Sequence, residues 1–237
     1  MNKKSLTIVI PAYNEEKRLD GAIEDVLFIA GSLDMDYEVI VVNDGSRDRT
    51  AELAKGWAGK RPQVRLIDNP VNRGLGHSLK EGFAAATKEY VTWFPGDNSV
   101  VKESMVPVWD KIGAADIIVP TMHNVSDRPL FRRVLSITFT RLINLLFRLN
   151  LRYYNGLLIF PTELVGRLKY AGRGHDIFCE MLVRAIKLGY SYYEIPFKHK
   201  VETEGMSKAI SLRNFRNVGR MIAALLWDIY VRRRPGG

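Results

Sequence analysis

A single cysteine, Cys179, stands among 237 residues, so no disulfide can form within the chain. That excludes a disulfide-stapled secreted scaffold and fits a reducing compartment. Cys179 falls in an apolar-patterned segment, where a buried core thiol is the natural reading. Long hydrophobic runs are missing too. Crossing a bilayer takes about 20 consecutive apolar residues, and runs such as Val134–Thr140 and Met221–Trp227 are far shorter. The stretch Leu6–Ile10 behind the basic start is too short for a signal-peptide core. The expected location is therefore cytoplasmic. His77, His123 and His199 are too scattered to make a metal site. With 46% hydrophobic residues, disorder is excluded as well.

Charge is present but uneven. Residues 1–127 hold 15 Lys+Arg against 19 Asp+Glu, and residues 128–237 hold 20 against 7, so a net −4 half precedes a net +13 half. The second half therefore calls for a polyanionic partner: anionic lipid headgroups, a phosphorylated substrate or nucleic acid. No nucleic-acid motif accompanies the charge, and its aromatics read as helix faces and strands, so nucleic acid is set aside.

Short β-branched and aromatic runs predict strands at Leu6–Ile10, Tyr37–Val42, Val64–Ile67, Tyr90–Phe94, Asp116–Val119, Leu157–Phe160 and Tyr192–Phe197. Helical patterns fill the gaps at Glu15–Ser32, Arg49–Gly59, Gly76–Lys88, Phe131–Asn150, Ile177–Leu188 and Leu212–Val231. The alternation predicts an α/β fold, a mostly parallel sheet with helices on both faces and amphipathic helices toward the C-terminus. Ligands of such sheets bind outside the carboxyl ends of the strands. The unusual residues stand there: Pro11–Glu15, Asn43–Ser46, Asn69–Gly76 and Pro95–Ser99. Capping and turn formation explain Ser46 and Asp48 but do not require a carboxylate at Asp44, which would face the crevice.

Val9-Ile10-Pro11-Ala12-Tyr13-Asn14-Glu15 and Asn43-Asp44-Gly45-Ser46-Arg47-Asp48-Arg49-Thr50 together resemble the motifs of the family 2 inverting glycosyltransferases. The likeness continues through Asn72-Arg73-Gly74-Leu75-Gly76, Glu180–Ala185, Glu194-Ile195-Pro196 and Gly205-Met206-Ser207-Lys208. In order and spacing these are similar to the dolichol-phosphate mannosyltransferases and related polyprenyl-phosphate sugar transferases. The resemblance implies a glycosyltransferase A-type fold over residues 1–208, with a nucleotide-sugar half (1–120), an acceptor half (121–208) and a basic amphipathic helix at 209–237. It further implies that Pro11, Ala12, Tyr13, Glu15 and Asp44 form the nucleotide pocket.

The departures matter as much. Asn43 replaces the first Asp of the second motif, and Pro95 replaces the first carboxylate of the family's D-x-D, leaving Asp97 as the ligand for Mg²⁺ or Mn²⁺. Family members that glycosylate hydroxyls place a catalytic-base Asp two residues before the Glu180 anchor; here that position is Phe178. A hydroxyl nucleophile needs a base and an ionised phosphate does not. Arg128, Arg132 and Arg133 with Ser136 precede an apolar-faced helix, and guanidinium suits phosphate. The expected activity is inverting transfer from a nucleotide-diphosphate sugar to a polyprenyl phosphate at an anionic, inner membrane face. Asp97, Arg128 and Arg132 are then catalytic, and Arg128, Arg132, Arg133, Ser136 and Lys208 bind the acceptor. The alternatives are a sugar-hydroxyl acceptor with Asp176 as base, and an inactive nucleotide-sugar binder. The apolar helix faces would equally suit a homodimer.

Overall fold

Strand β1 (Ser5–Ala12) is buried along nearly its whole length, as an apolar strand covered on both faces must be. Around it the computed structural model, which describes residues 4–123, 129–200 and 212–236, continues the alternation. There follow α1 (Leu19–Ser32), β2 (Asp36–Asp44), α2 (Thr50–Lys60), β3 (Val64–Asn69), α3 (Leu75–Ala84) and β4 (Tyr90–Trp93). The second half adds α4 (Val106–Asp110), β5 (Ile117–Met122), α5 (Leu130–Phe147), β6 (Phe160–Pro161), α6 (Thr162–Arg167), α7 (Asp176–Lys187), β7 (Tyr192–Phe197) and α8 (Leu212–Leu226). A wider turn, Trp227–Val231, extends α8.

The main sheet has the order β3-β2-β1-β4-β6, parallel except for the last pairing. Its register lines Ala12, Asn43 and Asp68 in one row across the carboxyl ends. Strands β5 and β7 pair with each other in a separate parallel ribbon, which the sequence pattern does not distinguish.

Three expected helix boundaries shift, two of them where a side chain captures the backbone. The first helix begins at Leu19, not Glu15, since the N–H groups of Glu15 and Glu16 donate to Thr50 and Asp48. The third ends at Ala84, short of Lys88, where Thr87 N donates to Glu38. The fifth ends at Phe147, with Arg148 left-handed at φ 50°. The expected strand Leu157–Phe160 shrinks to Phe160–Pro161 plus one bridge, Ile159 to Ile118. Near the end of α5, Asn144 bonds to the Leu151 backbone and accepts the Tyr154 hydroxyl.

At the other end of the main sheet Glu38 is buried and fully engaged. Thr7 Oγ1 (2.7 Å) and the Thr87 amide (2.6 Å) and hydroxyl (2.8 Å) donate to one oxygen, and Arg65 holds the other. Burial pushes this carboxyl up, but the hydrogen bonds from Thr7, Thr87 and Arg65 outweigh it and hold it below the ordinary 4.5. Because the folded value is depressed, its stabilisation is present above pH 4.5 and is lost as pH falls through the folded value. Thermal melts between pH 6 and pH 3 should therefore show a shallower acid-side loss in Glu38→Gln than in the parent.

Candidate active site

The loops at the carboxyl ends of β1 and β2 are zipped side by side. Asn14 N donates to Ser46 Oγ (3.0 Å) and Arg47 N to Asn14 Oδ1 (2.9 Å). Glu15 N donates to Thr50 Oγ1 (2.8 Å), Glu16 N to Asp48 Oδ2 (3.2 Å) and Arg49 N to Glu16 Oε2 (3.1 Å). Much of the motif chemistry is therefore scaffold. What the zipper presents is Pro11 and Glu15, half-buried, and Tyr13, exposed, above the buried Ala12.

Asp44, expected to face the crevice and accept hydrogen bonds from a nucleotide, is only 4% exposed. Its two oxygens accept the backbone N–H groups of Arg73 and Gly74, both at 2.8 Å. It pins the loop that opens α3. Gly45 (φ 67°) is required beside it, because a Cβ there would meet the backbone of Val71 and Asn72 at 2.5 and 2.6 Å.

The turn after β4 approaches the carboxyl end of β1. A Cβ on Gly96 would sit 2.8 Å from the Pro11 carbonyl oxygen, so only glycine lets the turn come this close. Asp97 is exposed on it and accepts a hydrogen bond from Ser99 N at 3.1 Å. Among the described residues no group of three His, Cys, Asp or Glu is placed to hold a metal ion. One exposed carboxylate fits a hydrated Mg²⁺ or Mn²⁺ only as a bridge to a ligand that brings its own oxygens, as a diphosphate does.

The floor of the crevice is aromatic. Phe178, fully buried, stacks on Trp93 with centroids 4.7 Å apart, and Trp93 Nε1 donates to Gly156 O (3.3 Å). His175 meets Trp93 edge-on at 6.3 Å; it opens to solvent yet is closely surrounded. That desolvation lowers its pKa below 6.5 against the opposing fields of Asp176 and Asp97. Asp176 is occupied: Oδ1 accepts Gly174 N at 2.8 Å and Oδ2 accepts Arg173 N at 3.4 Å. His175, like Asp176, lies close in sequence to the vacant base position at Phe178, whereas Trp93 is not singled out by the sequence pattern, since only the fold brings β4 against the start of α7.

Arg132 and Ser136 are half-buried and Arg133 is exposed, all in the first two turns of α5. The cap residue there is Pro129, with no side-chain acceptor, and no acid stands in the first turn. Cations beside a helix start that Pro129 does not cap make this end favourable to an anion. Arg128 and Lys208 lie outside the described residues. A cavity of about 620 Å³ lies elsewhere, lined by Lys80, Tyr170, Arg184 and Asp228. It sits beneath the C-terminal helix rather than at the strand ends, so the candidate site is the open crevice.

Residues 7–171 match the model described as glycosyl transferase family 2. The chain belongs to that family. It is 28% identical to glycosyltransferase AglD of Haloferax volcanii, an alignment covering 97% of this chain but 38% of that protein. It is also 28% identical to a dolichyl-phosphate beta-glucosyltransferase of Trichomonas vaginalis, over 90% of this chain and 74% of the relative. Identity is 32% to an undecaprenyl-phosphate 4-deoxy-4-formamido-L-arabinose transferase of Pectobacterium atrosepticum, over 59% and 43%. The relatives thus lie in the polyprenyl-phosphate sugar transferase branch, and the sugars they name are glucose and an arabinose derivative rather than mannose. The structure of glucosyl-3-phosphoglycerate synthase from Mycobacterium tuberculosis with Mg²⁺ and UDP superposes with a TM-score of 0.66 at 16% identity, covering 95% of this chain and 79% of that one. It supports the glycosyltransferase A-type fold.

Asp44→Asn tests the loop clamp. An amide nitrogen would face one of the two N–H donors, costing about 1–3 kcal/mol. Hydrogen exchange should accelerate at the Arg73 and Gly74 amides before any global change; unchanged protection there would remove the clamp.

Proposed function

We propose that this family 2 glycosyltransferase moves a sugar from a nucleoside-diphosphate sugar to a polyprenyl phosphate, with inversion, at the inner face of a membrane. The observation that carries the acceptor class is the Phe178–Trp93 stack: where a hydroxyl acceptor would need a base, the crevice has a buried aromatic floor. Asp176, the alternative base, already accepts the backbone N–H groups of its own loop, Gly174 N at 2.8 Å and Arg173 N at 3.4 Å. An acceptor phosphate is already ionised, so its oxygen can attack the anomeric carbon while the bond to the diphosphate breaks, and no proton has to be removed.

In this reading Pro11, Ala12, Tyr13 and Glu15 contact the nucleotide, and Asp44 shapes the loop beside it. A divalent cation between Asp97 and the diphosphate would neutralise the charge of the departing nucleoside diphosphate. Arg132, Arg133 and Ser136, joined by Arg128 and Lys208, orient the acceptor phosphate.

The membrane part of the reading rests on exposed apolar residues. Leu130 is 74% and Leu145 78% exposed, with Phe131, Val134 and Ile137 also open, along one helix. Trp227, Tyr230 and Val231 are exposed next to its far end, where Tyr230 donates to Leu146 O (2.8 Å) and stacks on Phe147. Arg133, Arg141, Arg148, Arg220 and Arg232 are exposed around them. Among the described residues no helix is long and apolar enough to cross a membrane. Apolar faces edged by cations suit an in-plane position in anionic headgroups.

Purified chain should glycosylate polyprenyl phosphate from UDP- or GDP-sugars, stop in EDTA, and fail as Asp97→Ala. Asp176→Asn should cost only a few-fold, whereas a hydroxyl acceptor relying on it would lose about 10²–10⁴-fold. Transfer to a free or lipid-linked sugar hydroxyl but not to the phosphate would refute the acceptor. For the membrane, vesicles rich in anionic lipid should float the protein at low salt and release it as salt rises. A stable homodimer that never floats would assign those faces to a second copy instead.

A further inference from the structure

Asp97 is the one carboxylate of its turn, so whatever fixes that turn fixes the hold on a cation. Asn98 follows it at φ 53°, a left-handed conformation that Asn tolerates better than most residues. Backbone preference alone leaves the lean of the turn open. On one side Asn98 is packed so closely on α1 that a side chain at Gly21 would strike its amide nitrogen. On the other, Asn98 Oδ1 accepts a hydrogen bond from Lys200 Nζ at 2.7 Å. The backbone is stapled to the same segment: Lys200 N donates to Ser99 O (2.9 Å) and Val101 N to Lys198 O (3.0 Å).

Lys200 is placed in turn by Asp25, which lies one turn along α1 from Gly21 and is nearly buried, with Ala22, Val26 and Ile29 buried beside it on that helix. A carboxylate taken out of water must be paired. Lys200 Nζ stands 3.3 Å from its Oδ2 and Lys102 Nζ 3.2 Å from its Oδ1. An ammonium carries three donors, so Lys200 serves Asp25 and Asn98 at once.

We propose that Lys200 is a positioning residue of the donor site, tying Asp25 to Asn98 and so holding the Asp97 turn in its cation-binding geometry. This rests on reading Asp97 as the protein ligand of the cation. A plain surface ion pair would contribute little to stability and nothing to the site. Here one partner is buried and the other adjoins Asp97, an arrangement in which outer partners of a metal ligand govern affinity by roughly 10–100-fold.

The test is Mn²⁺ binding, followed by electron paramagnetic resonance on the full chain with saturating UDP and, separately, GDP. Lys200→Met should weaken binding roughly 10–100-fold with the melting temperature little changed, because Lys102 still pairs Asp25. Lys200→Arg, able to reach both partners, should restore most of it. Asn98→Gly keeps the left-handed backbone but drops the amide, and should match Lys200→Met. Lys102→Met, which removes a contact to Asp25 and none to Asn98, should leave Mn²⁺ affinity intact, again with the melting temperature little changed because Lys200 still pairs Asp25. Wild-type affinity in Lys200→Met, or an equal loss in Lys102→Met, would overturn the proposal. Equal Mn²⁺ binding by wild type and Asp97→Ala would overturn it by removing its premise, a failure of the site reading rather than of the tie.

Discussion

Backbone N–H groups in the loops above the sheet need acceptors, and carboxylates supply them. Asp44 takes Arg73 and Gly74, Asp48 takes Thr50 and Glu16, Glu180 takes Ala171 and Gly172, and Asp176 takes Gly174. An orphaned buried N–H costs about 1–3 kcal/mol, so each acid is worth more to its loop than a surface charge is worth to the fold. The crevice takes its shape from these acid-to-amide bonds. That is why so much of the acidic residue content near the strand ends is unavailable to a cation, and why Asp97, with a single backbone hydrogen bond and an exposed carboxylate, stands apart.

The departure at Asn43 follows from the same geometry. Asn43 lies opposite Asp68 in the β2–β3 ladder, donates its amide to Asp68 Oδ1 at 2.7 Å and accepts Ser46 N at 3.2 Å. An aspartate there would set two carboxylates against each other at hydrogen-bond distance and destabilise their ionised forms. The amide supplies both a donor and an acceptor, so the second loop keeps its shape without the family's first Asp. Pro95 is comparable: it is buried, and the position contributes shape to the turn rather than charge.

The strands were legible because a parallel strand buried on both faces reads as an apolar run, and Leu6–Ile10 or Val39–Val42 can hardly be anything else. The helix ends were not, because their determinants lie far along the chain: Glu15 N stops at Thr50, and Thr87 N at Glu38. The site shows the same division. The positions of Asp97 and Phe178 could be read from motif spacing. That Asp44 would be consumed by a loop 29 residues on, or that Lys200 would reach Asp25 across 175, is a property of the folded topology. Motif spacing located the residues without saying which ones the scaffold had already claimed.

The Glu180–Arg184 pair shows how a family motif can serve two regions at once. Both are nearly fully buried; Arg184 Nη2 meets Glu180 Oε1 at 3.1 Å and Asp228 Oδ2 at 2.8 Å, and Nη1 donates to Pro235 O at 3.2 Å. Buried ion pairs add little net stability, but removing one partner leaves an uncompensated charge and costs about 3–5 kcal/mol. Their effect is therefore on geometry. Glu180 holds the loop just before His175, at the edge of the crevice. Asp228 belongs to the turn that carries Trp227 and Tyr230, whose ring stacks on the end of α5. One arginine thus contacts both the acid that holds the crevice loop and the turn that carries the apolar residues proposed to meet the headgroups.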